Sequence, residues 1–199
     1  VSVLISCEGV TDISPKDSLT DASYWSKVED LKLYANNLYT NLSAPGVDKD
    51  NVSDNCITTN YSSYLFNETT IPSTASEAGW TWGNIRNCNF FLTRYQKVQA
   101  APSEVNPYVA EVRFFRALDY FGKIKQFGDV PWYDKDLQTA DTDELYKPRD
   151  TRDFVLGKII EDLEFAIQWL PDADKAEKGR LNKDAARTQL ARVCLHEGT

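Results

Sequence analysis

Methionine is absent from this 199-residue chain, and basic residues are too few to balance the acidic ones. The 22 lysines and arginines face 30 aspartates and glutamates, which gives a formal net charge of −8. A chain with this charge repels nucleic-acid phosphates and anionic lipid headgroups, and its basic residues form no continuous stripe. Nucleic acid is therefore not an expected partner. Because Val1 is not a methionine, we expect further residues upstream of it in the translated protein.

Histidine occurs once, as His196, and the four cysteines do not have the spacing of zinc ligands. Apart from Cys7, the cysteines are Cys56, Cys88 and Cys194, an odd number that cannot form a closed disulfide framework. Cys88 and Cys194 fall on apolar helical faces, so we predict that both fill small spaces in the core. The sequence indicates no metal site, no cofactor and no catalytic residue.

Long apolar runs are also missing, so no segment is predicted to span a bilayer. A short apolar run does occur at residues 1–6, which is typical of the end of a signal peptide. The residues that follow it, Leu4-Ile5-Ser6-Cys7, are similar to a bacterial lipobox, in which the signal is cut before the cysteine and lipid is attached to its sulfur. A short buried strand is the alternative interpretation. Each buried methylene of an acyl chain contributes about 0.8 kcal/mol, so lipid on Cys7 would anchor the protein.

What the sequence has in abundance is a 3.6-residue apolar period, which recurs in five segments and predicts an all-α fold. The five predicted helices span residues 21–42, 76–98, 106–127, 150–170 and 182–198. We expect Asn106 to cap the third helix, with Pro107 as its first residue, and Asn182 to cap the fifth. No flexible linker interrupts the chain, so residues 1–7 are predicted to be a signal remnant with a lipobox and residues 8–199 to be one helical domain.

The third helix carries two apolar stripes, which indicates packing on more than one side. Its Ala110-x-x-x-Phe114 and Ala117-x-x-x-Phe121 pairs have the small-then-aromatic spacing of tetratricopeptide helices, in which the alanine lets a neighbouring helix approach. Stacked helix pairs of tetratricopeptide-like type are therefore the predicted architecture. Two long irregular loops, residues 43–75 and 128–149, connect the helices, and loops of this size are often functional.

Four stretches of the predicted helices are similar, in order and spacing, to segments of the SusD/RagB family. The stretch AEVRFFRALDYF (110–121) with FGDVP (127–131) resembles the family segment "AEaRFlRAyyYf…fGgvP". The stretch IIEDLEFAI (159–167) with LP (170–171) resembles "iieDLeeAi..LP", GRLNKDAA (179–186) with LARV (190–193) resembles "GRatk.aA..llArvyLy.G", and NFFL (89–92) resembles "N.fL". Departures at Asp129 and Cys194 fall at turn or packing positions. The resemblance extends over residues 76–198.

The resemblance implies a SusD-like lipoprotein on the cell surface, anchored by lipid in the outer membrane of a Bacteroidota-type bacterium. Family members sit on a TonB-dependent transporter barrel (SusC-like) and capture an oligosaccharide or another nutrient ligand for import. They are also much longer, so we expect this chain to be the N-terminal portion, cut off after the fifth helix. The fold implied by the family is the stacked, tetratricopeptide-like one predicted from the stripes.

A glycan site needs aromatic rings for the flat C–H faces of sugars, together with amide or charged groups for their hydroxyls. In the family, glycan contacts come partly from the loop before the "N.fL" helix, where this chain has rings and amides close together. Trp80 and Trp82 open the second predicted helix and are expected to point to different sides, with Trp80 exposed. Trp132 and Tyr133 are expected to be packing residues. The predicted ligand-binding residues are Asn60, Tyr61, Tyr64, Phe66, Asn67 and Trp80. The alternative is that these rings only pin the loop to the helices.

Charged residues in the third helix invite a catalytic interpretation, but ordinary ion pairs explain them better. Arg116 with Asp119, and Asp119 with Lys123, are three and four residues apart, which is the spacing of intrahelical pairs. Two other functions stay open on the sequence. Stacked helices could form a protein-interaction scaffold that binds no sugar, and a carboxylate pair could make the protein a glycoside hydrolase.

Overall fold

The computed structural model describes residues 24–42, 68 and 71–198, and all the regular elements in these ranges are helices. We number them α1 (Val28–Leu38), α2 (Gly83–Leu92), α3 (Pro102–Phe127), α4 (Thr142–Leu145), α5 (Arg152–Trp169) and α6 (Lys183–Gly198). Short 3-10 turns, Tyr39–Asn41 and Tyr95–Lys97, follow α1 and α2. Each of the five predicted helices therefore overlaps an observed one, and the all-α prediction is confirmed. No helix in the described ranges has both the length and the apolar character needed to cross a bilayer.

Helix α3 is the centre of the fold. It packs most extensively against α5 and also contacts α1, α2 and α6. The first predicted stripe is buried throughout, at Ala110, Phe114, Ala117, Phe121 and Ile124. In the second predicted stripe, Val112 and Phe115 are buried and Tyr108 and Leu118 are partly buried. The alanines are completely buried, as expected where a neighbouring helix approaches closely. The small-then-aromatic pairs therefore have the packing role predicted for them.

The start of α3 differs from the prediction. The helix begins at Pro102, and the Glu104 carboxylate accepts the backbone N–H of Ala101 at 3.3 Å, which stabilises the first turn. Pro107 lies inside the helix, so its missing N–H removes one intrahelical hydrogen bond. The prediction of Asn106 as the N-cap was wrong, because a proline at the first position followed by glutamate is the stronger start signal.

Helices α1, α2 and α5 are shorter than predicted, whereas α6 begins and ends as predicted. Helix α2 begins at Gly83, since residues 75–79 form a turn in which the Trp80 N–H donates to the Ala75 carbonyl at 2.8 Å. Helix α5 begins after Thr151, whose hydroxyl accepts the Phe154 N–H. The prediction for α6 is confirmed, because the Asn182 side chain accepts the Ala185 N–H at 2.9 Å. Residues 1–7, with Cys7 and the lipobox, lie outside the described residues.

The two described cysteines have different environments. Cys88 is buried on α2 as predicted, whereas Cys194 is exposed on α6, so the prediction for Cys194 was wrong. Only one face of α6 packs against the core, through Ala186, Gln189 and Val193. Cys194 follows Val193 by one residue, which places it about 100° around the helix, on the side that faces away from the described core.

The buried Cys88 thiol gives an alkaline pH dependence of stability. Burial raises its pKa from 9.0 to about 12. The unfolded chain therefore loses this proton near pH 9 while the folded chain keeps it, so stability is lost as the pH rises through this window. Between pH 9 and 10 we expect Cys88 alone to lower the free energy of unfolding by about 1 kcal/mol. Urea unfolding at both pH values should show this loss, and Cys88→Ala should remove that part of the slope. An equal slope in both proteins would contradict the assignment.

Candidate functional site

The predicted ligand-binding residues are not all described by the structure. Asn60, Tyr61, Tyr64, Phe66 and Asn67 lie outside the described residues and stay predictions. Trp80 is described, and it lines a cleft of about 560 Å³ between the start of α2 and the long loop that joins α3 to α5. We call this the aromatic cleft. Its lining residues are Trp80, Trp82, Ile85, Arg86, Asn89, Pro131, Tyr133, Lys135, Leu137, Leu145, Lys147, Pro148 and Arg149.

Three rings form the wall of the aromatic cleft. The Trp80 and Trp82 ring centroids are 5.2 Å apart with the rings nearly perpendicular, and Trp82 and Tyr133 have the same separation and a similar geometry. All three side chains are partly exposed. The expectation that the tryptophans point to different sides was wrong, because both precede the first residue of α2 and helical geometry does not apply to them. Trp80 is also backed by Phe127, at 4.8 Å.

Tyr133 is held in place through its backbone. The buried Tyr120 hydroxyl accepts the Tyr133 N–H at 2.6 Å and donates to the Tyr133 carbonyl at 3.3 Å. The same carbonyl accepts a hydrogen bond from the buried Asn89 side chain at 2.7 Å. Burial raises the pKa of Tyr120, so its hydroxyl keeps the proton that the donated bond requires. The position of Tyr133 is therefore fixed from α2 and α3 together.

The loop between α3 and α5 is fastened at both ends. Val130 and Asp150 form an isolated antiparallel bridge, and the Asp150 carboxylate accepts the Trp132 N–H at 2.7 Å. The Lys147 ammonium donates to the Trp132 carbonyl at 2.6 Å. Trp132 is buried, which confirms its predicted packing role, whereas Tyr133 is only partly buried and faces the aromatic cleft. The loop thus places its basic residues beside the tryptophans.

Cations lie against all three rings of the wall. The Arg149 guanidinium is 4.8 Å from the Trp80 ring centroid, and the Lys147 ammonium is 5.1 Å from that of Tyr133. Lys123 lies 4.9 Å from the Trp82 ring and donates to the Thr81 carbonyl. Burial lowers the pKa of Lys123, although the nearby Asp119 opposes this effect. The rings are therefore held by charge contacts as well as by packing.

The charged residues of α3 form structural ion pairs, some with unexpected partners. Arg116 pairs with Asp162 of α5 through two hydrogen bonds of 2.7 and 2.8 Å, so the predicted pair with Asp119 was wrong. The predicted Asp119–Lys123 pair is present at 3.8 Å. Glu111 pairs with Arg180 at 2.6 Å. In the described part of the chain, no group of three acidic, histidine or cysteine side chains could hold a metal ion.

Sequence reasoning missed Tyr133 and the basic residues of the aromatic cleft. A usable signal was present, because residues 132–149 combine an aromatic pair with Lys135, Lys147 and Arg149 in one loop. Nothing in the sequence indicated that this loop closes against Trp80 and Trp82. That contact depends on the Val130–Asp150 bridge and on the hydrogen bonds to Tyr133.

Comparisons with known proteins identify the family. The SusD-like family model described as "starch-binding associating with outer membrane" matches residues 11–195. SusD-like protein P38 of Formosa agariphila is 26% identical over 176 residues, which cover 83% of this chain and 35% of that protein. A crystal structure of a SusD-like protein from Bacteroides fragilis superposes with a TM-score of 0.73 at 29% identity, over 93% of this chain and 38% of the other.

A laminarin-binding SusD-like protein is a third relative, with a TM-score of 0.51 at 28% identity over 62% of this chain and 26% of the other. The chain thus spans only about a third of the length of SusD-like protein P38 and of the Bacteroides fragilis protein. The family model, the relatives and the helical architecture agree with one another. This chain belongs to the SusD-like family.

Proposed function

We propose that this chain is part of a cell-surface glycan-binding lipoprotein, and that the aromatic cleft holds part of the glycan. The observation that carries the proposal is the wall of three partly exposed rings, Trp80, Trp82 and Tyr133, in a cleft of about 560 Å³. Sugars bind to such walls by stacking their C–H faces on the rings. The match to a family described as starch-binding and the similarity to a laminarin-binding protein support this class of ligand.

The chemistry of the aromatic cleft favours binding without cleavage. Glycoside hydrolysis requires a pair of carboxylates beside the scissile bond. Within the described residues, the lining of the cleft contains no aspartate or glutamate. The proposed activity is therefore reversible capture, in which the rings hold the sugar and the basic side chains bind its oxygens.

We further propose that the captured glycan passes to a TonB-dependent outer-membrane transporter, and that lipid on Cys7 holds the protein at the cell surface. Family membership and the similarity of residues 4–7 to a lipobox support this part of the proposal. The described helices do not need to enter the membrane for this arrangement, because acyl chains supply the attachment. The protein's position beside the transporter would give the glycan a short path to the barrel.

Alanine substitutions in the wall test the proposed site. Titration calorimetry of the full chain with a panel of neutral and acidic oligosaccharides should show binding of at least one of them, and Trp80→Ala or Tyr133→Ala should weaken that binding at least about tenfold, because each removes a stacking surface. Phe154→Ala is the matched control, since Phe154 is a half-exposed ring on α5 that does not line the cleft.

Two outcomes would contradict the proposed site. Unchanged affinity in both cleft variants would show that these rings do not contact the sugar. A loss restricted to Tyr61→Ala, Tyr64→Ala or Phe66→Ala would instead assign the glycan to the 60–67 loop, which was the prediction from sequence. Absence of binding to every oligosaccharide would contradict the proposed function.

A further inference from the structure

The lining of the aromatic cleft has a charge opposite to that of the chain. Four of its residues are basic, namely Arg86, Lys135, Lys147 and Arg149, and among the described residues none is acidic. The chain as a whole has 30 acidic and 22 basic residues. An even distribution would place at least as many carboxylates as cations in this lining. The aromatic cleft is therefore a local positive region on an acidic protein.

Two of the four cations already have carboxylate partners. Lys147 lies 3.4 Å from Glu144 and 3.7 Å from Asp150, so its charge is largely balanced. Arg86 is 4.0 Å from Asp136, but that carboxylate is held more closely by Arg94 at 2.8 Å. The side chain of Arg86 is 65% exposed and keeps most of its donors for another partner.

The other two cations have no carboxylate within 4 Å in the described part of the chain. Lys135 is exposed, two residues after Tyr133 in the sequence, and lines the aromatic cleft. Arg149 is also exposed; it donates to the Asp129 carbonyl at 3.4 Å and lies over Trp80. The Arg149 guanidinium therefore lies beside Trp80, one of the rings proposed to bind the sugar, and keeps N–H donors for a bound anion.

We infer that the glycan held in the aromatic cleft is acidic, with a carboxylate or a sulfate ester on its sugars. This inference rests on the proposed function. Guanidinium groups bind carboxylates and sulfate-like anions through parallel N–H donors, which neutral hydroxyls cannot match. A cation with no carboxylate beside it gains more from such an anion than from a neutral sugar. The rings would bind the sugar faces while Arg149, Lys135 and Arg86 bind the charge.

Matched pairs of oligosaccharides test the inference. The full chain is titrated with tetragalacturonate and its methyl ester, and with a sulfated carrageenan tetrasaccharide and its desulfated form. We expect the charged member of at least one pair to bind about tenfold more tightly at low salt. That preference should shrink between 50 and 500 mM salt, because salt screens exposed charges. The pair that shows the preference identifies the anion as a carboxylate or a sulfate.

Charge variants connect the preference to the cleft. Arg149→Gln and Lys135→Gln should each reduce the preference about fivefold or more, and Lys135→Gln removes no ring contact. Arg187→Gln removes an exposed cation on α6, where it pairs with Asp184, and should leave the preference unchanged. Equal affinities within both pairs, or binding only of neutral oligosaccharides, would overturn the inference and leave glycan binding intact. Binding of no oligosaccharide at all would overturn both.

Discussion

Asp162→Ala is expected to lower the free energy of unfolding by about 3–5 kcal/mol, the usual cost of removing one partner of a buried ion pair. Both carboxylate oxygens of Asp162 accept hydrogen bonds from Arg116, and the two side chains are only 3% and 8% exposed. Without Asp162, the Arg116 guanidinium keeps a hydrogen bond to Asn89 at 3.0 Å but has lost its closest carboxylate in the core. The uncompensated buried charge is the source of the expected loss.

Urea unfolding of the variant and the parent protein measures this loss directly. Asp184→Ala is the control, since Asp184 forms an exposed pair with Arg187 and should change stability by no more than about 0.5 kcal/mol. The double variant Arg116→Met with Asp162→Leu should be more stable than Asp162→Ala alone, because no charge stays buried. A loss below about 1 kcal/mol in Asp162→Ala would contradict the proposed role of the pair.

The same ion pair connects the helical core with the aromatic cleft. The Asn89 side chain accepts a hydrogen bond from Arg116 and donates one to the Tyr133 carbonyl. Asn89 therefore connects the Arg116 side chain to Tyr133, which lines the cleft. Asn89 belongs to the stretch that resembles the family's "N.fL" segment, and its contacts explain why an asparagine is useful there.

The sequence predicted the stripes of α3 but could not predict its ion pairs. Periodicity identifies which residues of one helix face inward, and the two stripes of α3 are buried or partly buried. Periodicity contains no information on the position of α5 along the axis of α3. Asp162 is 46 residues from Arg116 in the sequence, so their pairing depends on that position. Asp119 is nearer to Arg116 in the sequence, but its carboxylate accepts a hydrogen bond from Asn84 of α2 at 3.4 Å and pairs with Lys123 instead.

The aromatic cleft was only partly predictable for the same reason. Trp80 was chosen from its position at the start of the second predicted helix, and it does line the cleft. Its neighbours Tyr133 and Arg149 come from a loop more than 50 residues later in the chain. Their placement depends on the Val130–Asp150 bridge and on the Tyr120 hydroxyl, which are tertiary contacts without a local signature.

Trp132→Ala is expected to have a similarly large effect, because Trp132 is a buried ring in the loop that forms one side of the cleft. It is 6% exposed, its ring centroid is 4.2 Å from that of Tyr120, and the Arg116 guanidinium lies 4.9 Å from it. Truncating a buried tryptophan costs about 3–5 kcal/mol through lost burial and the cavity left behind. Urea unfolding should show this loss, and Trp132→Phe, which keeps a ring, should lose less.

The substitution should also weaken oligosaccharide binding at the cleft by about tenfold, because Tyr133 follows Trp132 directly and depends on the Tyr120 hydroxyl for its position. Trp169→Ala separates the two effects, since Trp169 packs against Phe165 on α5 and does not line the cleft. It should lower stability and leave the affinity unchanged. If folded Trp132→Ala binds the sugar as tightly as the parent protein, Trp132 supports the core alone and Tyr133 keeps its position without it.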